Sequence, residues 1–567
     1  MKSKILLLAL LITLTIAPVQ GLASQSEDGV LVIEKTVTPS VDRTWTTISL
    51  IYDGQFHDPV ELDEEIENIQ SLAPELVDVE IIGQSYQGRN LTCLRITNEL
   101  NTVQKAKTLV LAQHHGREQV TVEVALRFIL LLLNNYGEDD LITEYVDTQE
   151  IYIIPTLNPD ALNVVVNEGN HWLRKNLRPY DNDGDGLISE DDVEDVDGDG
   201  WISEFLVYQK DYPSEEPDYY YDVDWGYWEG IDNDGDDLVN EDEVGLVDLN
   251  RNYPKFWGVG GGDLLIPETQ IYCGTEPFSE PETQAFRDFA LNHRFAMAYS
   301  LHTGINATYF PTDESENWPA GDGPLYYSIA SDFADILPDG FNDYLGYIGE
   351  DSRFETGLSG GWKEWMYYER GTTVPITFEI YHNATVDAEE AHVIIENNST
   401  HIIREWKGIY GYFNPVESEI DSLWDDLIPS FEYLLEMTPR LDISITGYSG
   451  GTSAGDTVSL NTRTENLSPR LGSRESVLIL DASNQVLDSM IAVGGEQSLT
   501  GQASIDLTED LASSDLSIFI GNNYTGYTEF VLSLGTPGLP LDPLLIGVIA
   551  GVAVVAIVIV VYFVKVR

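Results

Sequence analysis

With 96 acidic and only 29 basic side chains in 567 residues, a formal net charge of −67, the chain has no basic surface for phosphates, which excludes nucleic acid as a partner. Its length exceeds one typical domain, and its 43% apolar content is enough to bury a sizeable core. Two cysteines, Cys93 and Cys273, are too few for a disulfide scaffold and leave a single bridge open.

The first 23 residues read as a secretory signal peptide: Met1-Lys2-Ser3-Lys4, an apolar run over 5–17, then Gly21-Leu22-Ala23. Residues 25–45 are polar and too short for a folded inhibitory pro-domain. Over 61–76, Leu62, Ile66, Ile69 and Leu72 recur at helical spacing, and 77–82 and 91–96 read as strands joined by a turn. A strand at 108–112, a helix at 119–135, a strand at 150–154 and the turn Asn158-Pro159-Asp160 follow. Strands alternating with helices predict a largely parallel or mixed sheet covered on both faces.

The strand at 108–112 runs into Gln113-His114-His115-Gly116-Arg117-Glu118. A polar cluster at the carboxyl end of a strand is where open α/β sheets place ligands. His115 and Glu118 offer an imidazole and a carboxylate to a metal, and of the nine histidines only His115 has an acid three positions on. Alone, the pair fits a solvated turn with a capping glutamate equally well.

Between 181 and 243 lie 25 acidic residues and one basic residue, Lys210, and the acids are phased. Asp181, Asp183 and Asp185 are followed by Asp192; Asp195, Asp197 and Asp199 form a second set; Asp232, Asp234 and Asp236 are followed by Glu243. Oxygens at loop positions 1, 3 and 5, an apolar residue at 8 and a carboxylate at 12 are the pattern of a calcium loop. Leu206 stands at the twelfth position of the second loop and Asp237 at the glycine position of the third, so two sites fit better than three. Bound calcium would order the insertion; the alternative is an acidic insertion with no ion.

Residues 247–253 return to globular sequence, 294–302 read as a strand ending at His302, and 373–381 as a strand carrying a buried Glu379. Helices are expected near 387–412 and 418–436. From 440 to 534 short strands such as 442–445, 477–480 and 516–520 alternate with Gly/Ser/Asn turns, as in a β-sandwich. A three-proline spacer at 535–543 leads to 544–564, which is uncharged and long enough to cross a bilayer, with Lys565 and Arg567 behind it at 565–567. These features predict a single-pass protein of the cell membrane with its bulk outside the cell.

His115-Gly116-Arg117-Glu118, Asn158-Pro159-Asp160, Arg174-Lys175-Asn176, Asn250-Arg251-Asn252-Tyr253, Ser279-Glu280-Pro281-Glu282-Thr283, His302 and Thr377-Phe378-Glu379 occur in that order. In them the stretch from about 45 to 415 resembles the carboxypeptidase A-like zinc carboxypeptidases. The resemblance implies an α/β domain over 46–415, a mixed eight-stranded-type sheet flanked by helices with 181–243 inserted; the sequence pattern beyond it adds a connecting helix at 416–439, the β-sandwich at 440–534 and one transmembrane helix. It also implies zinc held by His115, Glu118 and His302, Glu379 as general base, and Arg174 polarising the scissile carbonyl. Asn250 and Arg251 would grip the terminal carboxylate of a peptide or protein, with Arg117 helping to position it.

By the same resemblance Lys363, two before Trp365, lines the specificity pocket, where a cation would favour an acidic C-terminal side chain. The mobile capping tyrosine of the family is absent: Thr356 takes its place, with Tyr344 and Tyr347 as substitutes from a rearranged loop. His114, His171 and His382 neighbour the motifs without matching a ligand position and are expected to be hydrogen-bonding partners. Two other readings remain: the same zinc chemistry on cell-wall or γ-glutamyl peptides, and a non-catalytic, calcium-dependent surface adhesion protein.

Overall fold

A computed structural model describes residues 30–181, 186–189, 191–209, 223–233, 235, 239–240, 244–259, 262–311, 322–338, 360–387, 393–399, 401–490, 498–508 and 515–535. The expected signal peptide, the membrane helix at 544–564 and its tail, and nearly all of the spacer lie outside the described residues. So do Asp183, Asp185, Asp234, Asp236, Glu243, Tyr344, Tyr347 and Thr356.

The central sheet has the order Val77–Gln84, Asn90–Ile96, Gln149–Ile154, Ala106–Ala112, Met297–His302, Val374–Tyr381, Ile305–Tyr309. Its four middle strands run parallel, and the remaining pairings are antiparallel. Side chains alternate across it. Val110 and Ala112 enter a core with the helices Val120–Asn135 and Ile420–Met437. Leu109 and Leu111 enter a second core with Pro281–Leu291 and Trp362–Tyr368. Burial on both faces is why these strands read as unbroken apolar runs. The sheet has seven strands among the described residues, not the eight expected: Ile305–Tyr309 ends that edge, ahead of residues 312–321, which are not described.

The expected helix near 387–412 is instead a hairpin, Val393–Asn397 with His401–Trp406, followed by the short helix Ile409–Phe413. Val393-Ile394-Ile395 and Ile402-Ile403 are β-branched and suit a pleated strand better than a helix. The hairpin continues into the acidic insertion, giving the antiparallel order Val393–Asn397, His401–Trp406, Glu204–Gln209, Val223–Trp228. The insertion is therefore not only loops; it supplies half of a second sheet.

The polar N-terminal segment is also structured. Val30–Lys35 pairs with Gly526–Gly535 at the far end of the chain, and Val41 and Trp45 are buried in the main core. Its five-stranded sheet and a three-stranded one (Leu441–Gly450, Thr457–Asn466, Ser498–Asp506) share an apolar cluster that includes Leu31, Val458, Ile479 and Ile520. Tyr524 leaves that layer for the main core, where its hydroxyl meets the Thr373 hydroxyl. Cys93 and Cys273 are buried and unbridged. Among the described residues no single helix is long and apolar enough to cross a membrane.

Candidate metal centre and substrate cleft

The strand Ala106–Ala112 ends at Gln113, whose φ of +52° is unusual for a residue with a side chain. Two hydrogen bonds hold it there: Nε2 donates to the Gly116 carbonyl over 3.1 Å, and the Thr156 hydroxyl donates to Oε1. Gly116 admits no side chain, because a Cβ would stand 2.7 Å from Ala161 Cβ and 2.9 Å from the Leu173 carbonyl. This tight turn aims His115 and Glu118 at one point.

There His115 Nδ1 lies 2.7 Å from Glu118 Oε1, His302 Nδ1 lies 2.9 Å from Glu118 Oε2, and the two imidazole nitrogens are 3.2 Å apart. One donor atom from each side chain falls within 4.8 Å of the others, and all three residues are buried. Each ring is anchored from behind: His115 Nε2 lies 3.1 Å from Asp248 Oδ1, and His302 Nε2 lies 3.0 Å from the Ser300 hydroxyl and 3.3 Å from Asn250 Nδ2. Where the outer nitrogen donates, from His115 to Asp248 and from His302 to the Ser300 oxygen, the tautomer is fixed and the inner nitrogen is left free for a metal. Two rings facing each other across a carboxylate fit a divalent cation of the zinc type. Burial pulls His302 down to about 4, and burial likewise pulls His114 well below the imidazole range. Glu118 is held well below the carboxylate range by His115 and His302, against the opposing effect of its burial.

Glu379 is the Cα partner of His302 in the neighbouring parallel strand. Its Oε2 is enclosed with no hydrogen-bond partner, and burial together with the negative charge of Glu118 pushes its carboxyl well above the ordinary range. A bound cation would pull it back down. Arg251 Nε and Thr303 Oγ1 are likewise buried without a hydrogen-bond partner.

Arg174 enters the cleft with Nε and Nη2 on Asp248 Oδ2, at 2.9 and 2.8 Å, and Nη1 3.9 Å from Glu118. Asp248 thus serves a metal ligand and an arginine together; burial opposes its charge, but Arg174, Arg251 and His115 hold it well below the carboxylate range. Asn250 accepts the Trp362 amide on Oδ1, and Arg251 Nη1 donates to the Asn250 carbonyl over 2.9 Å. Arg117 lies against Phe413 and donates to Gln270 Oε1. Lys363 is brought close to Glu364, with Nζ 3.1 Å from Oε1 and 3.2 Å from Oε2, so the cation expected in the pocket stands beside a buried carboxylate.

The remaining motifs hold the scaffold. Asn158 ties the His114 and Lys175 carbonyls together, and Asp160 collects Ser85, Gln87 and Arg89. Glu280 and Glu282 both accept from Asn176, and Glu280 also takes Arg178. His114 bonds Ser300 and Tyr253, as its structural assignment anticipated. Asp248, Gln270, Glu364 and Phe413 were not singled out from the sequence; only Asp248, two residues before Asn250-Arg251, stood inside a quoted stretch.

In the insertion, Asp195 and Asp197 come together with Glu229, which the sequence pattern did not supply. Glu229 Oε1 accepts the Val196 and Asp197 amides and Oε2 the Ser203 amide, closing the loop whose own twelfth residue is Leu206. Asp199 is paired with Lys407. Asp192 accepts from Asn170 Nδ2 and the Val244 amide, and its expected companions Asp183 and Asp185 lie outside the described residues. Asp181 Oδ2 takes the Gly186 amide, and Asp232 Oδ1 takes the Gly235 amide over 2.5 Å.

A sequence profile described as zinc carboxypeptidase matches residues 62–429. The chain is 34% identical over 127 residues to a zinc carboxypeptidase of Saccharothrix mutabilis subsp. capreolus, covering 22% of this chain and 29% of the relative. It is 29% identical over 134 residues to the inactive metallocarboxypeptidase ECM14 of Saccharomyces cerevisiae, 23% of this chain and 31% of that one. It is 23% identical over 332 residues to carboxypeptidase B2 of Bos taurus, 58% of this chain and 63% of the relative. The chain therefore spans between about three tenths and two thirds of the length of these relatives. A crystal structure of thrombin-activatable fibrinolysis inhibitor overlays with a TM-score of 0.45 at 20% identity, covering 68% of this chain and 75% of that one.

Proposed function

The chain belongs to the zinc carboxypeptidase family, and we propose that it is an active enzyme that hydrolyses the last peptide bond of peptides or proteins outside the cell. The observation that carries this is the convergence of His115, Glu118 and His302 with Glu379 beside them and Arg174 within reach. Zinc bound by the three ligands would polarise the scissile carbonyl and acidify a water. Glu379 accepts the proton of that water and returns it to the leaving amine; its enclosed, unpaired oxygen is suited to holding it. Arg174 donates to the carbonyl oxygen as charge develops there. Arg251, its Nε unpaired, takes the terminal carboxylate with Asn250, and Arg117 orients the preceding residues.

Because one relative is named as inactive, activity is the point to test. Peptide hydrolysis by the wild type, with none from Glu379→Gln at equal zinc content, supports the reading; equal rates from both remove it. A non-catalytic adhesion protein has no need of a carboxylate partnered in register with a metal ligand. The cell-wall or γ-glutamyl alternative uses the same residues and is separated by substrate alone.

Three finer parts belong to the proposal. Lys363 would favour acidic C-terminal side chains, a preference weakened by Glu364 at its ammonium. Calcium in the insertion draws support from Asp195, Asp197 and Glu229, and direct titration with calcium tests it. Export and anchoring rest on the sequences at 1–23 and 544–564, and membrane fractionation of the expressed full chain tests them.

A further inference from the structure

One side chain links the accessory sheet to the cleft. The Trp172 indole packs against Trp228 and Trp406, the last residues of two accessory strands, with ring centroids 5.0 and 5.8 Å away. Its Nε1 donates to the Ile202 carbonyl, 3.3 Å away and just ahead of the strand Glu204–Gln209. Three sides of the ring are therefore set by the insertion and its hairpin.

The Trp172 backbone faces the other way. Its carbonyl accepts from Arg117 Nη1 over 3.3 Å. The next two carbonyls continue the join: Leu173 takes the Arg117 amide over 2.8 Å, and Arg174 takes the Gly116 amide over 3.2 Å. The guanidinium of Arg117 also stands 4.2 Å over the Phe413 ring, and Phe413 comes from the short helix that follows the accessory hairpin. Arginine grips on substrate lose their use when displaced by as little as about 1 Å.

We propose that Trp172 is a positioning residue through which the accessory sheet sets Arg117 against the substrate. This rests on the carboxypeptidase reading of the cleft and extends it: the acidic insertion becomes part of substrate binding rather than a surface appendage. A tryptophan that only filled space would cost stability when truncated and would leave the balance of KM and kcat alone.

The test uses the zinc-loaded full chain with Trp172→Ala and Trp172→Phe, checked for zinc content and melting temperature, and assayed on a peptide substrate. Trp172→Ala is expected to raise KM about tenfold with a smaller change in kcat, and Trp172→Phe to recover most of it. Unchanged KM with a lowered melting temperature, or no recovery by phenylalanine, overturns the proposal. If wild type and variants alike hydrolyse nothing, the enzymatic reading fails separately. Calorimetric binding of the same peptide then decides: about tenfold weaker binding by Trp172→Ala upholds the positioning role, and equal affinity removes it.

Discussion

Glu379 and His302 are Cα partners in adjacent parallel strands, so their side chains leave the same face of the sheet at the same level. A slip of one residue in that pairing would turn one of them to the opposite core, so backbone register alone brings the base to the metal ligands. Removing the carboxylate charge should therefore abolish chemistry while leaving the scaffold intact. Glu379→Gln is expected to lower kcat by about 10²–10⁴-fold. Zinc content by elemental analysis should stay at the wild-type level and the melting temperature should not fall, because an enclosed, unpaired carboxylate oxygen is replaced by a neutral group.

Asp248 holds His115 and Arg174 at once. Asp248→Ala should weaken zinc binding by about 10–100-fold. It should also leave Arg174 buried without its partner, at a cost of roughly 3–5 kcal/mol of stability. Competition with a zinc chelator and urea unfolding measure the two effects; loss of either one alone would separate roles that the geometry joins.

The ion pair of Lys363 and Glu364 makes a charge-specific prediction. Glu364→Gln should remove the negative charge nearest the lysine and shift hydrolysis toward peptides ending in glutamate, whereas Lys363→Gln should keep the Glu364 carboxylate and shift it toward lysine. Rates on matched peptides ending in Glu, Leu and Lys read both. An unchanged ranking in both variants would place the pair outside the pocket.

Glu282 is fully buried, and burial pushes its carboxyl up to about 7. Below the ordinary carboxylate pKa it is protonated whether folded or unfolded, and folding carries no penalty from it. As pH rises from about 4.5 to 7 the unfolded chain ionises first, so stability falls, by at most roughly 3 kcal/mol. The stability of Glu282→Gln relative to wild type should therefore improve between pH 5 and pH 8 in urea titrations. A difference independent of pH would contradict the assignment.

What was legible in the sequence follows from how local each signal is. His115, Glu118, His302 and Glu379 sit at or beside the ends of buried strands, where apolar runs meet abrupt polarity, and motif order joined them. The helix wrongly expected near 387–412 is a strand pair because its β-branched residues answer to Glu204–Gln209, a partner nearly 200 residues away. The pairing of Val30–Lys35 with Gly526–Gly535 is equally non-local, and so is Glu229 reaching back to Asp195 and Asp197. Asp248 lay in plain view, but its double service to His115 and Arg174 depends on three segments meeting.

The central claim is tested most directly by incubating the full-length protein with a library of peptides differing at the C-terminus and following their masses. Loss of single C-terminal residues, stopped by a chelator, restored by zinc and absent in Glu379→Gln, is the predicted result. Intact peptides in the presence of zinc-loaded wild-type protein would contradict it.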